Sequence, residues 1–172
     1  MSPLGFSDSI WLHWHPHLEV VLGLILVQCA YLYGIGPYRR RQTDSPEINP
    51  RQTIMFTLGT FLIFLSLTSP LHILSDHYLF SAHMLQHVLI TLICPPLLIV
   101  GTPGWLASKL FQPRWSEMIF KRIFHPLGAI VIFNIIFSMW HLPILYNLSV
   151  SYHWVHILEH SLFISASIVM WW

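Results

Sequence analysis

Two pairs of histidines in this sequence have the spacing that brings side chains together on one face of a helix. His83 and His87 form the first pair, and His156 and His160 form the second. In a helix, side chains four residues apart lie one above the other. Another histidine, His141, lies near the end of a different apolar stretch. Because imidazole is a good ligand for copper, zinc, iron and nickel, these five residues are the candidate metal ligands.

Polar and sulfur-containing neighbours accompany these histidines. Gln86 and Glu159 lie within the two pairs and could orient an imidazole by accepting its second N–H, as partners of metal ligands commonly do. Met84 and Met139 carry soft thioethers that suit Cu(I), although methionine is also common packing material in cores. We therefore interpret Gln86 and Glu159 as residues that orient the ligands. For the two methionines, both interpretations stay open: metal ligand or core residue.

The elements that would position these side chains are apolar enough to lie in a membrane. The chain of 172 residues is 55% hydrophobic and 9% charged, with a mean hydropathy of +0.62. A helix needs roughly 20 mostly apolar residues to cross a bilayer. The sequence predicts an all-α membrane protein, a single domain over residues 1–172 with about five transmembrane helices. These predicted spans cover approximately residues 18–36, 54–70, 80–100, 127–145 and 155–172.

The basic residues predict how these helices are oriented. The eight lysines and arginines fall into two segments of the chain: Arg39, Arg40, Arg41 and Arg51, then Lys109, Arg114, Lys121 and Arg122. With five spans both segments lie on one side, which the positive-inside rule makes the cytoplasm. We therefore expect the N-terminus outside, with external loops at 71–79 and 146–154. The N-terminal segment lacks the features of a secretory signal, so the first helix is expected to remain as an anchor.

The histidines lie on the opposite side from the basic residues. Of the twelve, only His125 falls on the predicted cytoplasmic side. The other histidines lie on external segments or near external helix ends: His13, His15, His17, His72, His77, His83, His87, His141, His153, His156 and His160. Polar filler has no reason to avoid one side of a membrane, so this segregation indicates a function. Outside the two pairs and His141, we interpret the histidines individually as interfacial hydrogen-bonding anchors.

Four further features of the sequence bear on this interpretation. Pro95 and Pro96 should break or kink the third helix, because proline lacks a backbone N–H. Cys29 and Cys94 lie in apolar runs without a CxxC partner, and we expect both to be buried. The sequence has no basic, aromatic-rich run of the kind that binds nucleic acid. The His156-x-x-Glu159-His160 motif matches that of some zinc proteases. No acidic residue follows Glu159 to supply the further ligand, so a protease is disfavoured.

Three blocks of the sequence resemble the CtaG family of cytochrome c oxidase assembly factors. The first runs from Phe80-Ser-Ala-His83-Met-Leu-Gln-His87 through Pro95-Pro96 to Gly101-Thr-Pro103; the second is Trp140-His141-Leu-Pro143-x-Leu-Tyr146-Asn147; the third is His156-x-x-Glu159-His160-x-x-Phe163, ending in Trp171-Trp172. The resemblance covers nearly the whole chain. The family pattern carries over to His83, His87, His141, His156, Glu159 and His160.

The resemblance implies a role in maturing a haem-copper oxidase, by handling copper at the outer face of a bacterial cytoplasmic membrane. It implies no catalysis. The expected partners are membrane lipid and terminal oxidase subunits, with a homo-oligomer as a further possibility. Two alternatives stay open at this point. One is an electron-transfer protein with haem b, since facing histidines can be axial ligands. The other is an accessory subunit of a respiratory complex, in which the histidines hold no metal.

Overall fold

The structure, a computed structural model, describes Trp14 and residues 17–41, 47–110 and 125–172, and most of these residues are helical. We number the helices of these ranges as follows: α1 Leu18–Tyr38, α2 Pro50–Thr68, α3 Pro70–His77, α4 Phe80–Gly101, α5 Gly104–Leu110, α6 Pro126–Trp140, α7 Pro143–Ser151 and α8 His153–Trp171. Helices α1, α2, α4 and α8 are each long and apolar enough to cross a membrane. The predicted all-α membrane bundle is confirmed.

The fourth predicted span differs from the expectation of one helix over 127–145. Helix α6 ends at Trp140, and α7 begins at Pro143 with a bend of 69° between the two axes. Leu142 has extended backbone angles, which a residue before proline prefers for steric reasons. Counted together as one broken span, the two helices raise the number of candidate membrane spans in the described residues from four to five. His141 is thereby placed at a helix end inside the bundle.

The predicted external loops at 71–79 and 146–154 are also largely helical. Pro70 begins α3, and the hydroxyl of Ser69 accepts a hydrogen bond from the backbone N–H of Leu71 at 3.3 Å. A capping serine followed by proline is a strong start signal for a helix. Helix α7 occupies most of the second predicted loop. These two short helices place histidines and hydroxyl groups over the ends of the long helices.

Helix α4 accommodates its two prolines without ending. The segments Phe80–Val88 and Cys94–Gly101 are joined by a wider π-helical turn over Leu89–Ile93. This turn lies immediately before Pro95 and Pro96, where the ordinary helical hydrogen bonds cannot form. The carbonyl of Thr91 in the turn accepts a hydrogen bond from the Trp171 indole at 3.0 Å. At the prolines, where a break or kink was expected, the helix continues through a wide turn that begins two residues after His87.

The core lies where α2 and α4 pack closely. A Cβ added at Gly101 would lie 2.4 Å from the backbone nitrogen of Phe56, so only glycine fits there. The Phe56 ring stacks on Tyr31 at a centroid distance of 3.8 Å. The Tyr31 hydroxyl donates to the Gly101 carbonyl at 2.8 Å. Small residues that let helix backbones approach are typical of membrane helix interfaces.

One of the two cysteines does not match its expected burial. Cys94 is fully buried in the core, as expected, but Cys29 is exposed. Helix α1 packs against the bundle along one side, and large apolar residues such as Leu22 and Leu26 cover its outer side. In a bilayer that side would contact lipid, so an apolar sequence does not by itself predict burial in protein.

The two ends of the bundle differ in chemistry. At one end, Glu19 at the start of α1 contacts His153 at the start of α8. We call this the histidine end. The lysines and arginines that the structure describes lie at the other, basic end: Arg39, Arg40, Arg41, Arg51 and Lys109. Arg114, Lys121 and Arg122 lie outside the described residues. The sidedness inferred from the sequence is therefore present in the fold for every basic residue described.

Candidate metal centre

Histidines from five parts of the fold meet at the histidine end. Consecutive rings in this set have centroids between 4.2 and 6.0 Å apart. In spatial order these are His153, His17, His72, His156, His160, His87 and His83, with His141 beside the last two. We call this set the histidine chain. It contains all five predicted ligands together with three histidines that the sequence suggested only as anchors.

At one end of the histidine chain lies an inner trio formed by His83, His87 and His141. Each offers one ring nitrogen, and these atoms lie within 4.8 Å of one another. The Nε2 atoms of His83 and His87 are 2.8 Å apart. His87 is only 2% exposed. The trio joins the start of α4 to the break between α6 and α7, where His141 caps the end of α6.

Hydrogen bonds to neighbouring groups determine which ring nitrogens of the trio can act as ligands. The Nδ1 of His141 lies 2.6 Å from the Phe137 carbonyl and must donate to it. Its Nε2 therefore carries the lone pair, and this buried atom has no hydrogen-bond partner in the part of the chain that the structure describes. The same holds for the buried Nδ1 of His87. Buried polar atoms are usually paired, so these two nitrogens indicate a site with capacity for a further partner.

A middle group lies beside the trio on α8 and consists of His156, Glu159 and His160. Their candidate ligand atoms also lie within 4.8 Å of one another. The Ser149 hydroxyl of α7 donates to the Glu159 carboxylate, and its oxygen lies 3.2 Å from Nδ1 of His156. Glu159 itself is 4.0 Å from that nitrogen. The carboxylate thus reaches the imidazole through a hydroxyl group rather than directly.

Gln86 connects the middle group to α3. Its amide nitrogen is 3.2 Å from Nδ1 of His72 and 3.4 Å from Nε2 of His160. Nδ1 of His160 donates to the His156 carbonyl at 3.1 Å, so its Nε2 can only accept. Gln86 is therefore a donor to His160, where the sequence suggested an acceptor. Its side chain is 1% exposed, which makes this contact a fixed part of the interior.

An outer group at the surface consists of His17, Glu19 and His153. Glu19 Oε1 is 2.5 Å from Nε2 of His153 and 3.7 Å from Nδ1 of His17. The three side chains are between 31% and 47% exposed. Sequence reasoning did not select this group, because its members come from opposite ends of the chain. A negative charge at the start of the apolar first helix was the one available signal.

The five predicted ligands form two adjacent groups rather than a single ring. His87 of the trio and His160 of the middle group have ring centroids 6.0 Å apart. Sequence reasoning missed His72 and Ser149 as parts of this site, because both lie in segments that it treated as loops. His13, His15 and the side chain of His77 lie outside the described residues. Met139 is 49% exposed, so half of its surface faces away from the protein.

A polar cavity of about 290 Å³ runs along the histidine chain. Its walls include His17 and His153 of the outer group, His156 and Glu159 of the middle group, and His83 of the inner trio. Ser75 of α3 also lines it, with its hydroxyl 3.4 Å from Nδ1 of His83. The cavity therefore gives water or a small ion room beside all three groups.

Comparison with known proteins identifies the family. A sequence profile described as cytochrome c oxidase caa3 assembly factor (Caa3_CtaG) matches residues 29–172. No curated protein and no solved structure matches the chain significantly. The matched range includes the inner trio and the middle group, whereas His17 and Glu19 precede it. The resemblance noted in the sequence is confirmed, and the chain belongs to the family of cytochrome c oxidase caa3 assembly factors.

Proposed function

We propose that this protein binds a copper ion at the inner trio and delivers it to a terminal oxidase during assembly of that enzyme. Copper is here the cargo of the protein. Membership in an assembly-factor family supports the role in oxidase maturation. The proposal for copper rests on the chemistry of the trio, where His83, His87 and His141 bring three imidazole nitrogens within 4.8 Å of one another.

The observation that carries the proposal is the short distance between two of these nitrogens. At 2.8 Å, the Nε2 atoms of His83 and His87 have room for one proton between them, and an ion about 2.0 Å from both nitrogens would lie beside the line that joins them. If both rings carried a proton on Nε2, the two N–H groups would point at each other and neither would have an acceptor. Imidazole suits copper, and a buried ionisable group in a membrane protein is costly unless it has partners. A copper ion would be such a partner for all three rings.

The charge distribution supports delivery on the extracytoplasmic side. The basic end carries the lysines and arginines that the described ranges contain, and the positive-inside rule places such an end in the cytoplasm. The histidine end would then face outward, in the cytoplasmic membrane of a bacterium. A cavity along the histidine chain would leave the site open to exchange, which a transfer site needs and a closed structural site lacks.

Copper is better supported than haem. Axial haem ligands bind from opposite faces of the macrocycle, whereas His83 and His87 come from one helix with ring centroids 4.2 Å apart. His160 faces His87 from another helix, but both rings also contact further histidines. The donor arrangement therefore favours a single ion over a large planar group, and we propose no catalytic or electron-transfer step.

Metal analysis of the purified protein tests the binding proposal. The wild type and a His87→Ala, His141→Ala variant would be titrated with copper in detergent, and bound copper measured after removal of excess ion. We expect copper binding at the trio to be at least about tenfold weaker in the variant, so that the trio's ion is lost when excess copper is removed. His125→Ala is the matched control, because His125 is exposed and does not belong to the histidine chain. Equal copper binding in all three proteins would contradict the proposal.

Delivery is tested in cells that lack the wild-type gene. We expect the wild type and His125→Ala to restore the copper content of the purified terminal oxidase, and the His87→Ala, His141→Ala variant to leave it low. Added external copper should partly restore the oxidase in the variant strain. Stoichiometric co-purification with the mature oxidase would instead support a permanent accessory subunit and contradict transient delivery.

A further inference from the structure

The structure assigns a second metal site to the outer group of His17, Glu19 and His153. We propose that this outer site takes up a divalent transition-metal ion such as Cu(II) and passes it along the histidine chain to the inner trio. Metal binding at the outer site does not depend on the proposed function. The role of the outer site in loading the inner trio does rest on the proposed function. The family match begins after Glu19, so it does not assign this site.

One carboxylate and two imidazoles lie close together at the outer site. Glu19 Oε1 lies 2.5 Å from His153 Nε2 and 3.7 Å from His17 Nδ1. All three candidate ligand atoms lie within 4.8 Å of one another. Two imidazoles and a carboxylate are a common ligand set for divalent zinc, copper and iron, with the remaining positions open to water. Because each side chain is partly exposed, such an ion can arrive from solution.

The charge of Glu19 gives the site its preference for a cation. Glu19 is the only charged residue between Leu18 and Tyr38, in a helix that is otherwise apolar enough to span a membrane. A carboxylate close to hydrocarbon needs compensation. The lysines and arginines within the described ranges lie at the basic end, so histidines are the groups next to this carboxylate. A bound divalent ion would neutralise it and connect α1 to α8.

The outer site is joined to the inner trio by short steps between rings. The centroid distances are 5.2 Å from His17 to His72, 5.4 Å from His72 to His156 and 4.4 Å from His156 to His160. A final step of 6.0 Å leads to His87. Since a metal ion lies roughly 2.0–2.1 Å from an imidazole nitrogen, neighbouring rings at these separations can hold one ion in common during exchange.

The polar cavity extends along the outer part of this route and reaches the inner trio at His83, without His160 or His87 in its lining. Its lining includes both histidines of the outer site, His72 and His156 of the connecting steps, and His83 of the inner trio. Transfer along it exchanges one imidazole ligand for the next, and the ion keeps its oxidation state throughout. The inner end of the route is also more buried than its start, since His153 is 47% exposed and His87 is 2% exposed. An ion moving inward would therefore leave water.

Titration with Cu(II) separates the two sites. Purified full-length protein would be titrated by calorimetry, with electron paramagnetic resonance to report the ligands. We expect two ions per wild-type chain, and one in a Glu19→Gln, His153→Asn variant. The His87→Ala, His141→Ala variant should also bind one, with a mixed nitrogen and oxygen signal. Trp154→Phe is the matched control, because this neighbour of His153 is 76% exposed and is not a ligand.

The results distinguish a failure of the outer site from a failure of the copper function of the inner trio. Two ions bound by the Glu19→Gln, His153→Asn variant would overturn the outer site. A wild type that binds one ion, lost only in this variant, would support the outer site and contradict the copper function of the trio. Should the double variant fail to fold, His17→Asn replaces it, and an unchanged affinity for the outer ion would then overturn the site.

A kinetic measurement tests the loading role. At copper concentrations below saturation, we expect the inner trio to fill at least about tenfold more slowly in the Glu19→Gln, His153→Asn variant than in the wild type, with equal final occupancy. Stopped-flow mixing followed by the trio's own spectroscopic signal gives both values. Equal filling rates would show that the outer site is not on the route and would overturn the loading role.

Discussion

His83 and His87 direct their Nε2 atoms at each other across 2.8 Å, although both rings project from one helix. Two neutral imidazoles can share this distance only if one donates its N–H to the other. Nδ1 of His87 is then a buried atom with no hydrogen-bond partner among the described residues. The His87 ring is thus incompletely satisfied by the described part of the protein, which is a physical reason to expect an external partner for this ring.

Copper should stabilise the folded protein through this pair. A ligand that binds only the folded state adds about 2.7 kcal/mol when its free concentration is 100 times its Kd. We expect a rise in the thermal unfolding temperature of the wild type with copper, and a smaller rise in His83→Ala. The measurement is thermal unfolding in detergent with and without copper. His125→Ala should behave like the wild type, and an equal rise in His83→Ala would contradict the assignment.

Removing the Ser149 hydroxyl should slow copper loading of the inner trio without removing a ligand of the trio. Ser149 links Glu159 to Nδ1 of His156, which is a step on the proposed route, so Ser149→Ala leaves the carboxylate and the imidazole without their bridge. Loss of such an orienting partner typically lowers metal affinity about 10- to 100-fold. Stopped-flow mixing with copper measures the filling rate of the trio. Ser161→Ala is the matched control, because its exposed hydroxyl bonds the Ile157 carbonyl of its own helix and does not line the polar cavity, and equally slow filling there would contradict the role of Ser149.

Gly101, at the contact between α2 and α4, should be essential for helix packing and should have no effect on metal binding. In Gly101→Ala the new Cβ would lie 2.4 Å from the Phe56 backbone nitrogen, so α2 and α4 must move apart. We expect a loss of about 1–3 kcal/mol in unfolding free energy, the usual cost of overpacking. Gly23→Ala has nothing within 4 Å of the new Cβ and should not destabilise the protein. Unfolding by denaturant compares the two, and equal stability would contradict the close approach.

The wide turn in α4 depends on a hydrogen bond from α8. In Trp171→Phe the Thr91 carbonyl loses its indole donor, at a cost of about 0.5–1.5 kcal/mol. Thermal unfolding measures the difference from the wild type. Trp154→Phe, at a tryptophan that is 76% exposed, should have no comparable effect. A stability loss in Trp154→Phe equal to that in Trp171→Phe would mean that the indole bond contributes nothing specific.

The sequence by itself determined the helices, the two histidine pairs and the separation of histidine from basic residues. Each of these depends on local spacing or on hydropathy over a single stretch. The pair His83 and His87, for example, follows from the helical repeat alone. The break after His141 was encoded by Pro143, but hydropathy obscured it, because the apolar stretch continues past the bend.

Only the tertiary structure decided which histidines meet. His153 and Glu19 are 134 residues apart in the chain and 2.5 Å apart in space. Ser149 reaches Glu159 because α7 folds back over α8 after the bend at Pro143. Helical periodicity specifies which face of a helix is polar, but it does not specify the neighbour that this face meets. That choice comes from packing of whole helices against one another, here the close contact of α2 with α4 at Gly101 and the positions of α1 and α8 around it.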